Sequence, residues 1–149
     1  MSSRPPRPWD GPDWQKLWFA TQRRSWTSLA VVPSGDGMST SSLEVATALA
    51  EIGWIHLGMP IHVTDARELD IGGIEACLSD TRSRIKIGER VILAVSPVRD
   101  NAAAVRVAQA ADAAILCVLL GRSEVAAAES TIEQIGRSAF LGSVILWDS

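Results

Sequence analysis

Tyrosine is absent from the chain, so no modification of a tyrosine can take place on it. Cysteine and histidine are scarce, with two of each in 149 residues. Cys77 and Cys117 lie far apart in apolar surroundings and form no CxxC pair. Only His56 and His62 remain to complete a metal site, with no Cys or carboxylate clustered near them at ligand spacing, so no metal is expected. The two cysteines read as buried thiols in a reducing compartment. Positive charge is not in surplus: 14 Lys+Arg stand against 17 Asp+Glu, a net charge of -3 and a pI near 5.3. That balance gives no general electrostatic reason to bind nucleic acid or anionic lipid. No stretch reaches the roughly 18 uninterrupted apolar residues of a membrane span. The opening segment "MSSRPPRPWDGP" lacks the apolar run of a signal peptide. The expectation is a cytoplasmic protein with no nucleic-acid partner and no direct insertion into a membrane.

What the chain does have is apolar material, 47% of its residues, enough for one good core in a chain of about one domain's length. Residues 1–12 combine prolines, arginines and a glycine, read as a flexible or surface-hugging arm, and 13–149 as a single α/β domain. "DWQKLWFATQRRSW" places Trp14, Leu17, Trp18 and Thr21 at helical spacing. "TSLAVVP" then reads as a buried strand. From there helices near 39–52 (closed by Gly53), 73–84, 101–110 and 123–136 alternate with strands "PIHVTD", "RVILAVS", "AAILCVLL" and "SVILW". Five apolar strands separated by helices imply a mainly parallel sheet covered on both faces. The expected fold is a three-layer, Rossmann-like domain whose sites lie at the C-terminal ends of the strands.

The stretch "VVPSGDGMSTSS" runs from the first strand through a Gly-rich loop into a helix start. Gly35 and Gly37 would let backbone N–H groups turn toward an anion, and Ser39, Thr40 and the positive helix end would add donors. In a working phosphate-binding loop a lysine reaches the β/γ-phosphates, and the hydroxyl after it holds Mg²⁺. Here Met38 stands in the lysine's place and offers no charge. On the motif alone, a plain strand-to-helix turn with Ser39 as N-cap weighs more.

Taken together, "WTSLAVVPSGDGMSTSSLEVATALAEIG", "RVILAVSPVRDNAAAVRVAQAADAAILCVLLGRSEVAAAESTIEQIG" and "LGSVIL" resemble the kinase domain of bacterial tyrosine autokinases (BY-kinases). These are cytoplasmic ATPase partners of polysaccharide co-polymerases in capsule and exopolysaccharide export. The resemblance covers most of residues 13–147, and order, spacing and loop agree together. It implies a P-loop NTPase-like fold, nucleotide at Gly35, Gly37, Met38, Ser39 and Thr40, and a partner that is a membrane co-polymerase or a related kinase-like protein, with attachment to the inner membrane face through it. It also implies a homo-oligomer, because the family's helix in the place of "DWQKLWFATQRRSW" carries an E-x-x-R-x-x-R oligomerisation motif, which this chain does not match.

The departures fall on the chemistry. Met38 replaces the loop lysine, and the Mg²⁺-organising aspartate of the family's D-x-P-P strand corresponds to Ala94 in "AVSPV", leaving Pro97. A second aspartate persists as Asp65 in "VTDAR", where a helix N-cap or turn carboxylate is an equal reading. The family's longer insertion before "RVILAV" is trimmed, and its tyrosine-rich tail has no counterpart. The reading is a degenerate member, without catalytic residues and without a cofactor, acting as a partner or regulator in exopolysaccharide assembly. The alternatives are a reduced kinase-like ATPase that binds ATP or ADP weakly with Mg²⁺, and a ParA- or MinD-like positioning ATPase.

Six tryptophans are many for this length. Trp54 and Trp147 are expected at sheet margins. Trp9, Trp14, Trp18 and Trp26 crowd the start of the chain, and Trp14, Leu17 and Trp18 are candidates either for an interface or for docking onto the chain's own sheet. Arg82, Arg84, Lys86 and Arg90 read as a solvated helix face or a surface for an acidic partner.

Overall fold

The strands β1 (Ser28–Pro33), β3 (Arg90–Val95) and β4 (Ala113–Leu120) consist largely of Ala, Val, Ile and Leu, the composition of strands covered on both faces. In the computed structural model, which describes residues 12–34, 39–120 and 125–147, they form the centre of a five-stranded parallel sheet. The edges are β2 (Ile61–Ala66) and β5 (Phe140–Trp147), in the order β2-β3-β1-β4-β5. Alternation along β1 divides the core in two. Leu29 and Val31 join Ile92 and Ile115 beneath α1 (Pro12–Thr21) and α2 (Ser39–Leu57), which contribute Trp18, Val45, Leu49 and Ile52. Ala30 and Val32 join Leu93 and Val95 beneath α3 (Ile74–Lys86), α4 (Ala102–Ala110) and α5 (Val125–Ile135), packed through Cys77, Ile85, Val107, Ala108 and Ile135. The result is the expected three-layer α/β fold. Among the described residues no helix is long and apolar enough to cross a membrane.

The second helix departs from its expected end. It does not close at Gly53 but runs one turn further, to Leu57. Gly53 is there for closeness, not for termination: a Cβ on it would collide with Ile61 Cδ1 and lie 2.7 Å from the Trp18 ring. The stop is Gly58, at φ +70°, whose N–H donates to the Trp54 carbonyl at 2.9 Å, a left-handed helix end that glycine adopts without steric cost. The extra turn carries Trp54 out to the surface and not to a sheet margin. For Trp147 only the strand backbone is described, and Trp9 lies outside the described residues.

The basic run also divides. Arg82 and Lys86 are exposed on α3, and Arg84 pairs with Asp80 at 3.0 Å and Glu89 at 3.2 Å, a solvated face. Arg90 is not part of it. It opens β3, half-buried, with its guanidinium 4.7 Å from the Trp26 ring centroid. Its Nη1 is buried without a hydrogen-bond partner, and burial pulls its pKa down. Of the two thiols, Cys117 is fully buried and pushed up to about 12 by that burial. Cys77 is only half-buried, and desolvation, with a smaller contribution from Asp80, raises it.

Candidate functional site at the strand ends

The chain leaves β1 toward one edge of the sheet, reaching β2, and leaves β4 toward the other, reaching β5. Such a reversal between neighbouring parallel strands opens a crevice at their C-terminal ends. Ser34 follows β1 there, its N–H donating to the Cys117 carbonyl at 3.0 Å. Further along, Ser42 Oγ in the first turns of α2 donates to the Val95 carbonyl at 2.8 Å and ties the helix start to the end of β3. Between these anchors lie residues 35–38. Gly35, Gly37 and Met38 are therefore outside the described residues. Ser39 and Thr40 are the first two residues of α2; their side chains are not described.

Asp65 and Ala94 are brought together, as Cα partners in the β2–β3 ladder. Ala94 and Val95, the last two residues of β3, are both buried and apolar, so the first polar side chain after that strand is Ser96. Asp65 is held by its neighbour. Arg67 Nε donates to Oδ1 at 2.7 Å, Nη2 to Oδ2 at 2.8 Å and the Arg67 backbone N–H to Oδ1 at 3.2 Å. This is a turn carboxylate closed by a bidentate guanidinium. The Arg67 side-chain bonds hold the Asp65 carboxyl below its ordinary pKa, outweighing partial burial, and Arg67 is raised in turn by the same bonds. Among the described residues no cluster of three or more His, Cys, Asp or Glu is arranged to hold a metal ion.

Two cavities open at this edge. One of about 200 Å³ is lined by Ser34, Pro97, Arg99 and the α5 residues Ala127, Ser130 and Gln134, among others. The second, about 310 Å³, has Arg67, Glu68, Ser96, Pro97, Asp100 and Asn101 around it. Ser34 Oγ and Ser96 Oγ, one in each lining, are buried without a hydrogen-bond partner. The edge is thus furnished with hydroxyls, two amides, two arginines and the carboxylates of Glu68 and Asp100. Sequence reasoning missed Ser34, Ser96, Arg67 and Arg99; of these only Arg67 has a local signal, its two-residue spacing from Asp65 in "DAR".

The candidate interface residues lie elsewhere. Leu17 and Trp18 are buried in the chain's own core, and Trp14 packs against it half-buried. The physical reason is Gly53, which lets α2 approach Trp18 closely enough to cover it.

No family model matches the chain, and no curated protein does. Solved structures do. The crystal structure of the chimerical protein CapA2B2 matches with a TM-score of 0.63 at 11% identity, covering 89% of this chain and 80% of that one. The BceF tyrosine kinase domain matches with a TM-score of 0.61 at 13% identity over 89% of this chain and 74% of its own. The chain therefore shares the three-layer α/β fold of the BceF tyrosine kinase domain.

Proposed function

We propose that this chain is a kinase-like domain without phosphoryl-transfer chemistry, a partner or regulator in the assembly and export of capsular or exopolysaccharide. The observation that carries the reading is the end of β3. A working site of this type needs a carboxylate there to organise Mg²⁺ and a lysine in the loop beside it to neutralise the transferring phosphoryl group. Ala94 is apolar and buried, and the carboxylate across from it, Asp65, has both oxygens engaged by Arg67. With Met38 in the loop, neither charge needed for transfer is supplied. One lost charge-assisted contact weakens binding by about 1.5–3 kcal/mol, and more where charge develops in a transition state. The setting and the partner, a membrane polysaccharide co-polymerase or a related kinase-like protein, follow from the family resemblance of residues 27–53 and 91–147. Association with such a partner would hold the domain at the inner face of the membrane. Titration calorimetry of the purified chain with ATP and Mg²⁺ tests the reading. No saturable heat is expected at physiological nucleotide concentration, and a sub-millimolar Kd overturns it in favour of a reduced ATPase.

A further inference from the structure

The last turn of α2 shows a mainly apolar surface to solvent, with His56 as its one polar side chain. Trp54, Ile55 and Leu57, followed by Met59 just past the helix, are 53%, 66%, 38% and 42% exposed, and Phe19 of α1 is 57% exposed. His56 joins the two helices at this end. Its ring stacks on Trp18 with centroids 6.3 Å apart, meets Phe19 edge-on at 5.2 Å and bonds Gln15 at 2.7 Å. The fold covers α2 as far as Gly53, where Trp18 and Ile61 close on it, and leaves the turn beyond uncovered. Large apolar side chains exposed together in this way form a patch of the kind that marks an interaction surface.

We infer that this turn, with Phe19 beside it, is the contact surface between two copies of this chain, paired about a two-fold axis. Two observations select a second copy as the occupant. The first is charge. Residues 52–64, "IGWIHLGMPIHVT", contain no Asp, Glu, Lys or Arg. Two copies of this segment can therefore meet without like-charge repulsion, whereas a helix that lies on a lipid surface is rich in Lys and Arg on its polar face, and α2 has neither residue anywhere along it. The second is area. At about 150–250 Å² for a large side chain, these exposures leave roughly 500 Å² of apolar surface on one copy. Doubled across a two-fold axis that is about 1,000 Å², the lower bound of a specific interface, and isologous pairing is the commonest form of self-assembly. The inference does not depend on whether the strand-end site binds nucleotide.

Sedimentation velocity on the full chain, from about 1 to 200 µM, tests it, since interfaces of this size fall in the micromolar range. The native chain is expected to pass from monomer to dimer across that range. Trp54→Glu is expected to weaken the dimer at least tenfold while the thermal melt stays unchanged, because the side chain is on the surface. Ile55→Lys and Ile55→Glu should each be monomeric alone and associate when mixed, a rescue that a merely destabilised fold would not give. The inference is overturned if the native chain stays monomeric throughout or if Trp54→Glu dimerises like the native protein. It is equally overturned if the monomer instead co-sediments with phosphatidylcholine or phosphatidylglycerol vesicles.

Discussion

Asp112 stands at the end of the sheet opposite the candidate site, and three donors converge on one of its carboxylate oxygens. Thr27 N–H and Thr27 Oγ1 each donate to Oδ2 at 2.8 Å, and Ser28 N–H at 3.2 Å. Ser28 Oγ in turn accepts from the Asp112 N–H at 2.9 Å, so the entry to β1 and the entry to β4 are tied together. Burial alone would push this carboxyl up, but the bonds from Thr27 and Ser28 outweigh it and hold the pKa below the ordinary carboxylate value. Asp112→Ala leaves two backbone N–H groups without that acceptor, and for a partly exposed cluster we expect a loss of about 1–2 kcal/mol, read from the melting temperature at pH 7. The sign with pH follows from the lowered pKa. The stabilisation is fully present above the unfolded-state value near 3.9 and fades as pH falls through the folded one. The gap between native and variant melting temperatures should therefore hold from about pH 7 to pH 5 and close in stronger acid. A gap that widens with acid would contradict the assignment.

At the scale of the element, α1 separates what spacing reveals from what it hides. Trp14, Leu17, Trp18 and Thr21 recur at helical intervals, and they do make one face; its deepest residues are buried. Spacing could not say what that face meets. Its partner is α2 at Gly53 together with Trp26, whose indole packs edge-on to Trp18 at 6.3 Å and donates to the Thr21 carbonyl at 3.0 Å. Trp18, 2% exposed, is thus a core residue supplied by a helix outside the alternating strand–helix series. Trp18→Ala should cost about 3–5 kcal/mol, the usual loss for a buried aromatic, through the cavity left between α1, α2 and β2. Trp14→Ala, at the half-buried rim, should cost far less. Denaturant unfolding of the two variants makes the comparison, and equal midpoints would show that α1 docks too loosely to matter to the core.

For the whole molecule, the order of elements and the parallel sheet were legible because strands covered on both faces are continuous apolar runs, as in "SLAVV", "VILAV" and "AAILCVLL". The helix boundary at Gly53 was misread because close approach and termination both select glycine, and only the packed neighbours distinguish them. The strand-end position of Asp65 was legible for the same reason as the strand itself. Its engagement by Arg67 is a local contact between residues two apart, which "DAR" carries, whereas the burial of the Ser34 and Ser96 hydroxyls at the cavity walls depends on how loops from separate strands converge, which no local pattern encodes. The same convergence makes recovery of catalytic chemistry a question about the whole fold. Met38→Lys alone should give at most weak ATP binding and no turnover, because Ala94 still leaves the end of β3 without a metal-organising carboxylate. Adding Ala94→Asp places that carboxylate at a fully buried position, in register with Val31 on one side and Asp65 on the other. Desolvation and the neighbouring carboxylate both disfavour its charged form. Without a bound metal, Ala94→Asp should therefore lower stability at pH 7 by about 3–5 kcal/mol, the range for an uncompensated buried charge. Its raised pKa makes the loss smaller at pH 5, where the carboxyl takes up a proton. Thermal melts of Ala94→Asp at the two pH values decide the matter. A variant as stable as the native chain at pH 7 would mean that the end of β3 accepts a carboxylate readily, and that the fold itself does not stand in the way of catalysis.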